Sequence, residues 1–523
     1  MGSEGTGIRL IEKGKRGIIH AVFSRLGLIL LLLVLQLMVM VAVFRWFSAF
    51  LPHLFGGVVV LGVIMVVHLL NSGADPTAKI TWLILITLAP VFGCLFYLYA
   101  HTDVGHRAVK QRLRELIGQT RDAIPQDRAV AERLRSESPE TLALAAYIGR
   151  TGCFPVYDQT DVTYFPSGEA KFAAMLERLE QAKDFIFLEY FIVDEGVMWG
   201  RILEILARKA REGVDVRVMY DGTCEFTTLP HDYPQRLEKL GIRCKMYAPL
   251  LPFISTHYNY RDHRKILVID GHTAFTGGVN LADEYINQKE KFGHWKDTAI
   301  MLRGKAVPSF TLMFLQMWSM EEKSPVFEPY LNAPCHPCPE AAGYVLPFGD
   351  CPLDSEKVGE MVYMDILNRA RDYVHIMSPY LILDGELETA LKFAAERGVD
   401  VKLILPGIPD KKAPYALAKN HYASLLRSGV KIYEYTPGFV HAKVFVSDGT
   451  KAVVGTINLD YRSLYHHFEC AAYLCGTSCI PSIEEDFQAT LAKCRAVTPE
   501  TVRQEKWTLR LMGRLLKSVA PLM

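Results

Sequence analysis

His263, Lys265 and Asp270 stand in the order H-x-K-x4-D, and His441, Lys443 and Asp448 repeat that spacing. Each copy is followed, seventeen residues after its His, by an asparagine: Asn280 in Gly277-Gly-Val-Asn280 and Asn458 in Gly455-Thr-Ile-Asn458. A single match in a chain of 523 residues is weak, but two with the same downstream offsets mark a duplicated site. An imidazole beside an ammonium and a carboxamide, doubled, suits phosphoryl chemistry. A neutral His can attack phosphorus and form a covalent intermediate, while a second, protonated His donates to the leaving alkoxide and later takes a proton from the incoming nucleophile. Lys265, Lys443, Asn280 and Asn458 can hold the equatorial oxygens as negative charge shifts. Asp297, in His294-Trp-Lys-Asp297, and Glu469, in His466-His-Phe-Glu469, take equivalent places after the two Asn residues. Each can accept from an imidazole and fix its tautomer. This scheme needs no metal and no other cofactor. The sequence offers no clustered carboxylates for a two-metal site, and Cys335-x-x-Cys338 lacks the second pair of a zinc site.

The elements that must carry these residues also come twice. Residues 185–193 form an apolar run of strand length, an amphipathic helix is predicted over about 199–212, and 214–220 is a second strand. Residues 373–377, 386–397 and 399–405 replay that order, and the phrase Gly-Val-Asp-Val occurs at 213–216 and again at 398–401. After each His, an alternating strand runs into Asp-Gly and a second apolar strand, which predicts a hairpin with a tight turn. His and Lys, two apart, share a strand face, and the Asp falls at the turn. The pattern therefore predicts an α/β chain made of two copies of one unit. One complete site is then built from two incomplete ones across a pseudo-twofold interface.

The first hundred residues differ in kind. Residues 26–44 contain one polar side chain, Gln36, and no charge; 54–70 and 80–100 are further apolar runs. Each is about the ~20 residues that cross a bilayer core, and Trp46, Trp82, Tyr97 and Tyr99 lie near their ends. Two or three transmembrane helices are predicted within 1–105, with a charged helical connector over 106–150. A first α/β domain follows over 151–328, then a proline-rich linker over 329–352 and a second α/β domain over 353–523. Lys13, Lys15, Arg16 and Arg25 precede the first run, and Arg107, Lys110, Arg112 and Arg114 follow the third. Positive flanks favour the cytoplasmic side, but three spans would separate them. The catalytic domains are expected in the cytoplasm. Trp507–Leu522 alternates apolar residues with Arg and Lys, consistent with a helix on the membrane surface or one packed on the second domain.

Composition narrows the function classes. A formal net charge of +1 gives no global basic field, and together with the apolar N-terminus it argues against a nucleic-acid substrate. Eleven cysteines scattered from Cys94 to Cys494 read as reduced thiols.

Asn259-Tyr-Arg-Asp-His-Arg-Lys, Gly277-Gly-Val-Asn-Leu-Ala-Asp-Glu-Tyr285, Trp295-Lys-Asp and Gly455-Thr-Ile-Asn-Leu-Asp-Tyr-Arg-Ser463 resemble the motif regions of the phospholipase D superfamily. With Ile80-Thr-Trp through Leu-Ala-Pro90-Val-Phe-Gly93, they resemble the bacterial cardiolipin synthases within it. Mild departures are Asp262 where Asn is usual, Gly278 and Thr456 where Ser is frequent, and a loop over 329–352 with three Cys. The resemblance implies two phospholipase D-like α/β sandwich domains on a multi-pass bacterial cell membrane protein whose partners are phosphatidylglycerol, other phospholipids and the bilayer. It implies joining of two phosphatidylglycerols with release of glycerol. His263 would be the nucleophile and His441 the general acid and base, roles that could be exchanged. Asp270 and Asp448, though part of the catalytic motifs, would support them structurally. A phospholipase D using water as acceptor and an HKD-type nuclease are the competing expectations.

Overall fold

The computed structural model describes residues 34, 36–42, 45, 55–73, 75–101, 104–248, 260–354 and 356–522. Most of the apolar run 26–44, and Asn259, lie outside these residues. The described residues fall into two compact units, a larger one spanning 108–248 and 260–517 and a smaller one holding those of 34–107 and 518–522.

In the larger unit the strands of the first half are β1 (Thr160–Phe165), β2 (Phe185–Tyr190), β3 (Asp215–Asp221), β4 (Arg243–Tyr247), β5 (Arg261–Asp262), β6 (Lys265–Ile269), β7 (Thr273–Gly277), β8 (His294–Lys296) and β9 (Ala299–Gly304). Those of the second half are β10 (Tyr344–Asp350), β11 (Tyr373–Met377), β12 (Asp400–Pro406), β13 (Lys431–Tyr435), β14 (Gly438–Val440), β15 (Val444–Ser447), β16 (Lys451–Gly455), β17 (His467–Cys475) and β18 (Cys494–Ala496). The first sheet runs β1-β9-β7-β6-β2-β3-β4 and the second β10-β17-β16-β15-β11-β12-β13-β18. Strand for strand the orders coincide, apart from the extra edge strand β18. Both halves contain the strand–helix–strand unit read from the sequence, with helices at Val197–Arg211 and Gly385–Glu396 making the parallel crossovers β2-to-β3 and β11-to-β12.

Two stretches serve the core more directly than their composition suggests. β10 lies inside the proline-rich 329–352, yet it pairs along its whole length with β17, as β1 pairs with β9. Within the charged 106–150, the helices Arg128–Glu137 and Pro139–Gly152 bury Val130, Leu134, Leu144 and Ile148 in the same apolar core as the second sheet. The helix Val307–Trp318 is predominantly apolar and buried at every residue but Pro308, as a helix without a polar face must be. It packs on strands of the first sheet and on β10 of the second. That core is continuous across the two halves.

The Asp-Gly turns have the geometry that the pairs suggest. Asp270 and Gly271 have φ of 49° and 71°, Asp448 and Gly449 have φ of 52° and 64°, and both central residues of a type I′ hairpin turn require positive φ. Asp270 accepts the backbone N–H groups of Lys183, Asp184 and Phe185 at 2.8, 2.8 and 2.9 Å, which ties the turn to the start of β2. Asp448 repeats this with Arg371, Asp372 and Tyr373 at 3.0, 3.0 and 2.9 Å, at the start of β11. The Gly that ends each second hairpin strand is needed for close approach. A Cβ at Gly277 would lie 2.5 Å from Ala299 Cα, and one at Gly455 would lie 2.3 Å from Ala471 Cβ.

The smaller unit contains the helices Phe55–Leu70, Pro76–Leu88 and Pro90–His101. Asp75 caps the second through the N–H groups of Thr77 and Ala78, and Pro90 opens the third. They meet around Met65, Leu69, Trp82, Ile86, Cys94 and Tyr97. At ~1.5 Å per residue, even the longest, of 16 residues, rises only about 24 Å. No described helix is long and apolar enough to cross a membrane.

Asp270→Ala or Asp448→Ala leaves three backbone donors without their acceptor, a loss of roughly 2–4 kcal/mol. Thermal unfolding followed by circular dichroism is expected to show a melting midpoint several degrees lower for each variant; an unchanged midpoint would contradict the stapling role.

Candidate active site

Each motif histidine follows a short strand that pairs with a strand of the other half. β5 pairs in parallel with the start of β17, Arg261 opposite His467 and Asp262 opposite Phe468, and the chain then enters its own sheet as β6. In the second half β14 pairs in parallel with β8, Phe439 opposite Trp295 and Val440 opposite Lys296, before the chain enters its sheet as β15. The His263 N–H therefore donates to the Phe468 carbonyl at 2.9 Å, and the His441 N–H to that of Lys296 at 2.7 Å. The next residue after each of these acceptors is a carboxylate, Glu469 or Asp297.

The carboxylates are thereby exchanged between the halves. His263 Nδ1 lies 2.8 and 3.0 Å from the two oxygens of Glu469. His441 Nδ1 lies 2.7 Å from Asp297 Oδ2. An imidazole that faces a carboxylate through Nδ1 carries its proton there, which leaves the Nε2 lone pair for chemistry. Both imidazoles and both carboxylates are buried.

Lys265 and Lys443 are buried beside their own histidines. Lys265 Nζ donates to the His263 carbonyl and sits over the Phe191 ring, 5.3 Å from its centroid. Lys443 Nζ donates to the His441 carbonyl and lies 2.9 Å from His441 Nδ1. The asparagines differ. Asn280 accepts the Ile192 N–H at 3.1 Å and donates to the Tyr285 hydroxyl at 2.7 Å, whereas Asn458 Oδ1 is buried with no hydrogen-bond partner among the described residues. Asp270 and Asp448 are not brought to the imidazoles; their carboxylates are taken up at the hairpin turns.

The walls hold residues to which motif spacing assigned no role. Tyr285, Trp295 and Phe439 surround the His441 ring, with centroids at 5.4, 5.4 and 5.9 Å. Phe191 meets the His263 ring edge-on at 4.9 Å. His467, the counterpart of Trp295, is buried 5.4 Å from the His263 ring and 3.7 Å from Glu469, and neither of its ring nitrogens is hydrogen-bonded among the described residues. The Thr456 hydroxyl donates to Glu469. The available signal was adjacency: His467 lies two residues before Glu469, and Thr456 directly follows the motif glycine. His263, His467 and Glu469 bring three donor atoms within 4.8 Å of one another, as a metal site could. The two ammonium groups beside them favour an anion instead.

Burial sets the electrostatics. It pushes His263 well below the usual imidazole range, and the neighbouring Lys265, His467, Lys443 and His441 push in the same direction. His441 is lowered to about 4 by burial and then by Lys443, but Asp297 works against that shift. Burial raises the Glu469 carboxyl, opposed by Lys265 and the Thr456 hydroxyl. Burial also lowers Lys265 to about 8, against the pull of Glu469, and Lys443 to about 7, against that of Asp297. Cations confined in this way gain most from a phosphodiester anion among them.

Residues 175–318 and 363–491 match the family model described as "Cardiolipin synthase, PLD-like domain". The chain belongs to this family. Residues 60–100 match a second model, the phospholipase D-nuclease N-terminal segment. Over 458 residues the chain is 58% identical to an uncharacterized protein of Streptococcus mutans serotype c, covering 88% of this chain and 99% of that one. Over 505 residues it is 31% identical to a cardiolipin synthase of Halalkalibacterium halodurans, covering 96% and 100%. A cardiolipin synthase of Geobacillus sp. is 33% identical over 456 residues, covering 86% and 89%. The crystal structure of a phosphatidylserine synthase from Haemophilus influenzae shares the fold, with a TM-score of 0.55 at 14% identity over 73% of this chain and all of that one.

The lysine values predict how anion binding follows pH. Both ammonium groups are charged below pH 7, and Lys443 and then Lys265 lose their protons as the pH rises through about 7 and about 8. Calorimetric titration with a soluble phosphodiester, whose charge is constant over this range, is expected to show Kd rising between pH 6 and pH 9. A flat Kd would remove the lysines from the binding site.

Proposed function

We propose that this protein is a cardiolipin synthase that transfers a phosphatidyl group from one phosphatidylglycerol to another through a phosphatidyl-histidine intermediate. The observation that carries this reading is the exchanged pair His263–Glu469 and His441–Asp297, flanked by two buried lysines, in a chain similar over nearly its whole length to proteins named cardiolipin synthase.

His263 Nε2 attacks phosphorus and the bond from phosphorus to the glycerol headgroup oxygen breaks. His441, as imidazolium, gives its Nε2 proton to the departing alkoxide, and glycerol leaves. The neutral His441 then takes the proton of a glycerol hydroxyl on a second phosphatidylglycerol. That oxygen attacks phosphorus, the P–N bond to His263 breaks, and cardiolipin is formed. The different surroundings of the two rings support this division of roles. Burial and the neighbouring cations favour the neutral, nucleophilic form of His263, and Asp297 opposes the same tendency at His441. Substrate supplies the charge that His441 otherwise lacks, because a phosphodiester anion between Lys265 and Lys443 favours imidazolium over imidazole. The lysines, together with Asn280 and Asn458, bind the phosphoryl oxygens as charge develops. Asp270 and Asp448 act on the hairpins.

The site is carried to its substrate by the membrane segment in 1–105. Val63, Ile64 and Val67 of the helix Phe55–Leu70, and Ile80, Leu88 and Leu95 beyond it, are exposed apolar side chains that support contact with lipid. The connector and the two phospholipase D-like domains, 151–328 and 353–523 with β10 of the preceding segment added to the second, stand on the cytoplasmic side, where lysine and arginine flanks are favoured.

Incubation of the full chain with phosphatidylglycerol vesicles, followed by mass spectrometry, is expected to give cardiolipin and glycerol. Phosphatidic acid as the sole lipid product would assign water as the acceptor. His263→Ala and His441→Ala should each lower turnover by roughly 10³-fold or more, and full activity in either would end the two-histidine scheme.

A further inference from the structure

The last long helix, Trp507–Lys517, shows two different faces. On one, Gly513 is buried so closely against the helix Lys412–Arg427 that a Cβ there would lie 2.4 Å from the Ala416 carbonyl oxygen, and Leu509, Met512 and Leu516 are half-buried. This face docks the helix on the second domain. The other carries Trp507, Leu511 and Leu515, spaced by four residues and therefore aligned along the axis, with exposures of 68%, 45% and 64%. Burial of all large apolar groups would be the ordinary outcome for a helix that only packs. Beside the stripe stand Lys506, Arg510, Arg514 and Lys517, all exposed, and no carboxylate occurs between Lys506 and Lys517. Lys517 is shared with Glu388 at 3.9 Å.

We infer that this second face is a docking surface for an anionic phospholipid bilayer. The helix lies in the interfacial plane, with Trp507, Leu511 and Leu515 entering the acyl boundary and the cations meeting lipid phosphates. The observations favour this occupant over a second protein in two ways. A tryptophan and two leucines on one stripe with a one-sided row of cations is the chemistry of an interfacial helix. A local charge of one sign also complements a surface of the other sign, in a chain whose net charge is only +1. The choice of phosphatidylglycerol as the anionic lipid rests on the proposed function; the docking surface itself does not. The surface would give the catalytic unit its own hold on the bilayer, independent of the apolar N-terminus.

Two measurements on the purified full chain separate these ideas. In hydrogen exchange, the amides of 507–517 are expected to slow when the protein is moved from phosphatidylcholine vesicles to vesicles also containing phosphatidylglycerol. Raised salt should reverse the effect. In turnover, the triple variant Trp507→Ala/Leu511→Asn/Leu515→Asn and the double variant Arg510→Gln/Arg514→Gln should lose about tenfold in rate on phosphatidylglycerol vesicles. Their rate on a short-chain phosphatidylglycerol dissolved below its micelle concentration should be unchanged. Equal rates on vesicles, or equal losses on both substrates, would overturn the inference. So would a change from dimer to monomer in the triple variant with no loss on vesicles, because that assigns the face to a second copy. Protection of 507–517 on anionic vesicles in a wild type that forms no cardiolipin would keep the docking surface and reject the proposed reaction.

Discussion

The site depends on two short strand pairings that cross between the halves, β5 with β17 and β14 with β8. Each is only two or three residues long, and each places the backbone of a motif histidine against the residue that precedes a carboxylate, Phe468 before Glu469 and Lys296 before Asp297. A backbone N–H bonded at 2.9 or 2.7 Å to the residue before that carboxylate leaves its side chain little freedom to miss the imidazole. The geometry of each pair is thus set by main-chain hydrogen bonding rather than by flexible side chains. Neither half completes a pair alone, because the histidine of each half meets the carboxylate of the other.

Burial is the second constraint. Two imidazoles, two lysines and two carboxylates are withdrawn from water at one place, which lowers every basic group in the cluster. Such a cluster is costly as an isolated set of charges and well matched to an entering anion, since low dielectric strengthens attraction as much as it penalises unpaired charge. The type I′ turns are set apart from this region, and Asp270 and Asp448 hold them there through backbone N–H groups.

The halves share a fold but not their details. Glu469 is the longer carboxylate and receives the Thr456 hydroxyl. Opposite, Asp297 is shorter and takes the Thr298 N–H at 2.8 Å, and a Cβ at Gly278 would come within 2.0 Å of its Oδ1. The Thr456–Glu469 pair thus carries more side-chain volume than the Gly278–Asp297 pair. Asp262 and Arg264 likewise join buried Glu189 in a charged group of the first half, with Arg264 Nη2 2.5 Å from Glu189. The corresponding stretch after β14 carries Ala442. Such differences give the two rings different surroundings on the same scaffold: both are pushed toward the neutral form, and at His441 Asp297 opposes that shift.

Local pattern alone carried a large part of this. The doubled H-x-K-x4-D, the strand–helix–strand replay and the Asp-Gly turns are properties of residue type and spacing, and side-chain periodicity acts over a few residues, so they are legible without a fold. The pairing of Glu469 and Asp297 with histidines was legible as well, but not its exchange, because sequence equivalence says which residues match and not which ones meet. That required the cross-half strands, whose few residues have no periodicity to announce them. β10 was hidden for a similar reason: its strand pattern is brief and stands among prolines, and only its pairing with β17 makes it an edge strand. His467 gave no signal of its own beyond being a histidine near a carboxylate, and its burial beside His263 follows from the same strand crossing. The sequence determined which groups could do phosphoryl chemistry and that they come in two sets. Tertiary structure decided how the sets combine, because hydrogen bonds between distant backbone segments, rather than any local preference, bring each acid to the other half's base.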